Sequence, residues 1–387
     1  MEKTTENAVG IITDNMDAAQ KPDESECEYI YWLTQVPGLG AVKIKKLAEY
    51  AGDFEAIYNM KKEHLEKLSF LGARDCMAIM QAKKKLQAGR EAYHRLRESG
   101  IEFITIHDKR YPERLRRIYD PPAALFVKGR LPDDLLPTAA LIGARSCTYY
   151  GRCEAEHIGK VLAENGIQVI SGLAYGIDGA GHKGVLDADG AAYAVLGSGI
   201  DNCYPRENWG LYSAIPKRGG VISEYGPGTR AETWHFPVRN RIISGLSDAV
   251  VVVEARKRSG SLITVGLALE QGKEVFAVPG RVTDPLSMGC NELIRAGAGI
   301  LLSPEDVLEF YGIKSGKKLK NEKKKEIGLA KEEKKVYSCL DSHPKHVDSI
   351  AFSCGLPVNE CMAVLLGLEL EGFAVQTTNQ YYVKKSD

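Results

Sequence analysis

The sequence predicts an α/β protein built on a doubly wound parallel sheet, with an N-terminal helical domain on one side and a C-terminal winged helix on the other. Three observations predict it. From about residue 99 to 312, short apolar runs alternate with helical stretches, and several runs lack internal polar alternation, as strands covered on both faces do. Residues 28–98 read as helical throughout. Residues 333–387 read as three short helices followed by a hairpin, the order of a winged helix.

Taken in order, residues 1–27 (MEKTTENAVGIITDNMDAAQKPDESEC) are polar and acidic and read as a disordered tail. They lack the charged-then-apolar pattern of a signal peptide. Within 28–98, VPGLGAVKIKKLAEYAG places Pro37, Gly38 and Gly40 in a tight turn before a short helix carrying Val42, Lys45 and Lys46. This is a helix-hairpin-helix pattern. Such a turn either lets backbone N–H groups approach a phosphate or simply packs two helices together.

In the central region the strands are expected at 103–106, 139–142, 168–170, 192–196, 221–223, 249–253, 274–278 and 299–302. Helices are expected at 152–164, 177–188 and 261–271. Residues 313–332 then form a lysine-rich linker; ten lysines and four glutamates fall within 314–335. In the winged helix, Glu360, Glu369 and Glu371 lie in and just after the third helix, which favours protein contact over reading a DNA groove.

The chain of 387 residues is long enough for two or three domains, and 44% hydrophobic residues support a packed core. Lysine plus arginine equals aspartate plus glutamate at 51 each, which still allows a local basic groove. No apolar run reaches the roughly 18 residues of a membrane span. Nine cysteines occur without any C-x-x-C pair, so reduced thiols and a cytoplasmic location are expected, with no metal and no cofactor.

Parallel α/β sheets bind ligands beyond the carboxyl ends of their strands, so the segments after each strand carry the functional signal. After 139–142 come Gly143, Arg145, Ser146 and Tyr149 at the start of a helix. A glycine, a guanidinium and helix N–H groups together suit an anion. After 168–170 come Gly172, Ala174 and Gly176, then Asp178, His182 and Lys183. The small residues would bring backbone close to a ligand, and His182 and Lys183 could reach a phosphate. After 192–196 come Gly197 and Gly199. They begin a dinucleotide fingerprint, but Asn202 stands where its last glycine belongs, which argues against NAD.

After 221–223 a glycine-rich turn leads to Trp234, His235 and Phe236, aromatics that could stack bases or pack in a subunit contact. Arg239, Asn240 and Arg241 follow, either gripping phosphates or bracing Glu254 and the sheet edge. The strand ending at Glu254 leads to Arg256, Lys257 and Arg258, and then to Ser259, Gly260 and Ser261 at another helix start. No P-loop, no nucleophile elbow and no paired metal carboxylates occur. The set fits gripping several phosphates better than breaking a bond.

In order along the chain, GARSCTYYG, SGLAYGID with GHKG, VLGSGIDNCYP, ISEYGPGT, FPVRNRIISGLSDAVVVVEA, SGSLITVGLALEQGKEVFAVPG and GCNELIRAGA closely resemble the DNA-processing protein A (DprA/Smf) family, over about 110–310. The resemblance implies an extended Rossmann-like domain that binds single-stranded DNA and commonly dimerises. It implies a partner in the RecA recombinase, which the family loads onto incoming single strands during natural transformation while displacing single-strand-binding protein. The arginine of the family's Gly-Ser-Arg motif falls on Arg145, with Ala144 in place of the serine. Gly181 stands before His182 where the family usually has alanine. Tyr149, Tyr175 and Tyr204 are the candidates for stacking bases.

Two rivals remain at this stage. One is a Rossmann-like nucleotide-binding or nucleotide-hydrolysing enzyme with Glu254 as acid/base; Arg281 and Val282 after Pro279 and Gly280 depart from a PGGxGT-type loop. The other is an adaptor that recruits the recombinase through the terminal domains.

Overall fold

A computed structural model describes residues 23–314, 330–341 and 344–385. Six helices open the chain: α1 Glu24–Thr34, α2 Ala41–Ala51, α3 Phe54–Asn59, α4 Lys62–Leu65, α5 Ala73–Lys83 and α6 Leu86–Glu98. The expected tail ran to residue 27, yet α1 begins at Glu24; residues 1–22 lie outside the described residues. The acids that suggested a tail are structural. Asp23 caps α1, and Glu24 and Glu26 sit at its positive end. Glu24 pairs with Arg97, Glu26 with His107 and Glu28 with Arg90. The turn between α1 and α2 has Gly38 at φ +78, where a side chain would be strained. Lys43 of α2 pairs with Asp75 at 2.7 Å, and Lys46 lies over the Phe70 ring, so both cations serve packing within the domain.

The central region is a nine-stranded sheet in the order β1-β2-β6-β5-β4-β3-β7-β8-β9. Its strands are β1 Glu102–Thr105, β2 Ala124–Gly129, β3 Thr138–Ile142, β4 Gln168–Ser171, β5 Ala192–Leu196, β6 Gly220–Ser223, β7 Ala249–Val252, β8 Glu274–Ala277 and β9 Gly299–Ile300. Strands β3 to β9 are parallel. Strand β2 was not expected. It pairs antiparallel with β1, Phe103 opposite Phe126, and with β6, Val127 opposite Ile222. Its run ALFVK is short and follows two prolines, which hid it. It turns a purely parallel sheet into a mixed one.

The helices of this region are α7 Glu113–Arg116, α8 Tyr149–Glu164, α9 Ile177–Asp187, α10 Trp209–Ala214, α11 His235–Gly245, α12 Gly260–Glu270, α13 Met288–Arg295 and α14 Glu305–Phe310. Side chains alternate between two cores, as period two requires. Leu141, Val169, Ala194 and Val251 pack with α8 and α9. Ile142, Ile170, Val195 and Val252 pack with α11 and α12 on the other face. This is the doubly wound arrangement. Helices α8 and α9 pack closely through glycines: a Cβ on Gly184 would lie 1.9 Å from the Glu156 carbonyl oxygen. Gly181 and His182 are helical and part of this packing face.

The C-terminal unit comprises α15 Lys331–Cys339, β10 Lys345–His346, α16 Val347–Cys354, α17 Val358–Leu370, β11 Ala374–Thr378 and β12 Tyr381–Lys384. Val336, Ile350, Leu365, Leu368 and Tyr382 form its core. The winged helix is as expected, with the extra short strand β10. Most of the predicted linker, 315–329, lies outside the described residues. Lys331, placed in that linker, already belongs to α15, whose start is tied by Glu333 accepting from the Ala330 N–H at 2.7 Å. No single helix among the described residues is long and apolar enough to cross a membrane.

Candidate functional site

Strands β3 and β7 are neighbours, but the chain leaves them for opposite faces, β3 into α8 and β7 into α12. Their carboxyl ends therefore frame a crevice, the switch point of the sheet. A cleft of ≈ 590 Å³ opens there. Of the expected residues it is lined by Gly143, Arg145, Ser146, Ala174, Arg239, Asn240, Ser259, Gly260 and Ser261. It is lined also by Arg256 and Arg258, which are not among the expected site residues. They stand in the run EARKRSGS, between Arg239–Arg241 and Ser259–Ser261, where a dense cluster of cations after a strand end is the signal that marks them. Both are exposed, and neither has an ion-pair partner among the described residues. Lys257, between them, is paired with Glu292 at 2.7 Å.

Four guanidiniums thus face the cleft, against one lining carboxylate among the described residues, Asp178. Arg145 is exposed, and its guanidinium carbon lies 5.1 Å from the centre of the Phe236 ring. The Tyr204 ring lies 5.5 Å from Phe236 in turn. Arg239 is 3% exposed and donates from Nη1 to the Val195 carbonyl at 2.7 Å, while its Nε has no partner. Burial pulls its pKa down to about 10, with Asp178 opposing, so it stays charged at neutral pH. A small recess beside the cleft brings Gly172, Tyr175, Tyr204 and Arg239 around Arg145. A separate groove of ≈ 240 Å³ holds Gly176, Lys183, Arg152 and Tyr175; Lys183 is paired there with Glu156 at 3.0 Å.

Besides Gly172 in the recess and Gly176 and Lys183 in the separate groove, five expected residues lie off the cleft. Arg241 is 4% exposed and bound to Asp120 at 3.0 Å and Glu224 at 2.7 Å. It braces the fold, but through those carboxylates and not Glu254. His182 is fully buried with both ring nitrogens unpartnered, and burial drives its pKa down to about 3, so it is a neutral core residue. Tyr149 is half-buried beside Cys153, and burial lifts its hydroxyl to about 12. Gly199 donates its N–H to Thr229 at 2.9 Å. Gly197 packs under Phe236; a Cβ there would lie 2.8 Å from the ring.

The expected backbone contacts are likewise corrected. At Gly143 a Cβ would meet Ile177 at 2.7 Å, and at Gly172 it would meet Arg239 Nη1 at 1.9 Å. The Gly172 N–H already donates to Asp178 at 3.1 Å. These glycines let protein approach protein. The start of α8, read as an anion site, holds an anion of the chain's own. The Glu254 carboxylate accepts from the Thr148 N–H at 2.9 Å and from Thr148 Oγ1 at 2.5 Å. Glu254 is 4% exposed and committed to this cap, with none of its atoms lining the cleft. Among the described residues no cluster of three His, Cys, Asp or Glu side chains could hold a metal ion.

An arginine-lined cleft at the switch point of an extended sheet, in a chain that also carries helical and winged-helix units, defines a Rossmann-like protein with a cationic cleft. Comparison with known proteins makes this particular. The chain belongs to the DNA recombination-mediator protein A (DprA/Smf) family, whose model matches residues 102–312; a DprA winged helix domain model matches 320–379. It is 46% identical over 216 residues to DNA processing protein DprA of Bacillus subtilis, covering 55% of this chain and 72% of that one. It is 35% identical over 317 residues to protein Smf of Escherichia coli, covering 79% and 84%. The crystal structure of DprA from Streptococcus pneumoniae superimposes with a TM-score of 0.64 at 36% identity, over 73% of this chain and 97% of that one.

Proposed function

We propose that the cleft binds single-stranded DNA and that the protein is a non-catalytic DNA chaperone acting in transformation or recombination. The observation that carries this is the set of four guanidiniums, from Arg145, Arg239, Arg256 and Arg258, converging on one concave cleft. They neutralise phosphates, while Asn240 and the Ser259–Ser261 segment supply polar contacts. Tyr175, Tyr204 and Phe236 offer rings beside Arg145. Unpaired bases can reach those rings; bases inside a duplex are stacked and cannot. Membership of a family whose relatives are named for DNA processing supports the same reading.

The finer parts of the proposal are that the bound strand is protected, that the RecA recombinase is loaded onto it as single-strand-binding protein leaves, that the protein is a homodimer and that it acts in the cytoplasm. The test is fluorescence anisotropy of a labelled single strand and of a duplex of equal length, at two salt concentrations. Tight binding that prefers the single strand and falls with salt, with a slope of about −0.7 per phosphate neutralised, is the expected result. No preference, or no binding at low salt, overturns the proposal. Recombinase loading is then read from the DNA-dependent ATPase of RecA on strands coated with single-strand-binding protein, with and without this protein.

A further inference from the structure

The third helix of a winged helix is the usual reader of a DNA groove, and there it presents cations. Helix α17 presents the opposite. From Val347 to Phe373, which spans α16 and α17, the chain has four acids and no Lys, Arg or His. Along α17, Val358, Met362, Leu366 and Leu370 recur every fourth residue, so they form one stripe on the helix. These four are 41%, 40%, 55% and 81% exposed. The core of the unit is served by other positions, Cys361, Leu365 and Leu368. The stripe is therefore surplus to folding. It lies along a helix bearing Glu360 and Glu369, with Glu371 just beyond.

We propose that this face docks a cationic amphipathic helix of a partner protein. Its apolar side would cover the Val358–Leu370 stripe, and its lysines or arginines would meet the flanking glutamates. The charge decides between occupants. DNA phosphates would meet glutamates, which are like charges. A second copy of α17 laid on the first would set glutamates against glutamates. Only a positive partner satisfies both the apolar stripe and its rim.

The test uses the full chain and a fluorescent 18-residue leucine–lysine peptide of amphipathic helical pattern, with a scrambled peptide of identical composition as control. Leu366→Gln/Leu370→Gln removes the C-terminal, most exposed half of the stripe and leaves the core residues untouched, so its melting temperature should match the parent. Preferential binding of the patterned peptide, weakened at least tenfold by the double substitution, supports the proposal. Equal binding of the two peptides, or no effect of the substitution, overturns it. So does a loss of duplex affinity in the variant, which would make the face a DNA reader. A loss of self-association measured by sedimentation would make it a dimer contact and overturns it as well.

Discussion

The guanidinium of Arg145 stands 5.1 Å from the centre of the Phe236 ring on the wall of the arginine cleft. The ring holds a long, exposed side chain in place at low entropic cost and leaves its outer N–H groups facing the cleft. Arg145→Ala should weaken single-strand affinity by about tenfold to a hundredfold, the range for a lost charge-assisted contact. Its melting temperature should stay within a degree or two of the parent. Phe236→Leu should weaken binding less, because it frees Arg145 without removing it. Unchanged affinity in Arg145→Ala would remove this residue from the site.

Arg239 and Arg241 differ in role although they are two residues apart. Arg241→Met strands Glu224 and Asp120, and should cost about 3 kcal/mol of stability in denaturant unfolding. Affinity of the folded fraction should hold. If the variant loses DNA binding at full stability, Arg241 touches the strand after all.

Gly172→Ala tests whether Arg239 must sit where it does. The new methyl carbon would fall 1.9 Å from Arg239 Nη1, so the guanidinium must leave its bond to the Val195 carbonyl. We expect at least a tenfold loss of single-strand affinity together with a lower melting temperature. Retained affinity would show that the cleft works without a fixed Arg239.

Glu254→Gln separates a cap from a catalyst. The amide cannot accept both Thr148 hydrogen bonds, so stability should fall by about 1–3 kcal/mol. DNA binding should persist below the new melting point. Nucleoside monophosphate hydrolysis by the parent, abolished in this variant, would return Glu254 to an acid/base role.

His182 makes stability depend on pH. Its folded pKa is held near 3, below its ordinary 6.5, so the unfolded chain takes the proton first as pH falls. This contribution is complete above about 6.5 and is lost on acidification towards 3, by about 1.4 kcal/mol per pH unit. The difference between the unfolding free energies of the parent and of His182→Leu should be flat above pH 7 and slope below 6. A flat difference throughout would mean that His182 titrates in the fold as it does in the unfolded chain, with no shift from burial.

The sequence by itself determined the layers, the parallel direction of β3 to β9 and the strand-end segments that line the cleft. Uninterrupted apolar runs, caps and chain direction are local properties, and they persist in the fold. It also marked Arg145, Arg239 and the Ser259–Ser261 segment. Only the tertiary structure decided which polar groups were free to act. Glu254 satisfies the start of α8, Asp178 takes the Gly172 N–H, and Arg241 is held by Asp120 and Glu224. Glu254 and Asp120 come from distant parts of the chain, so no local pattern could announce that those groups were already taken; Asp178, six residues from Gly172, lay within local reach. Arg256 and Arg258 are the converse: ordinary loop cations in sequence, they line the cleft because β7 happens to end beside β3. A buried polar group must find a partner somewhere, and which partner it finds is settled by packing across the sheet.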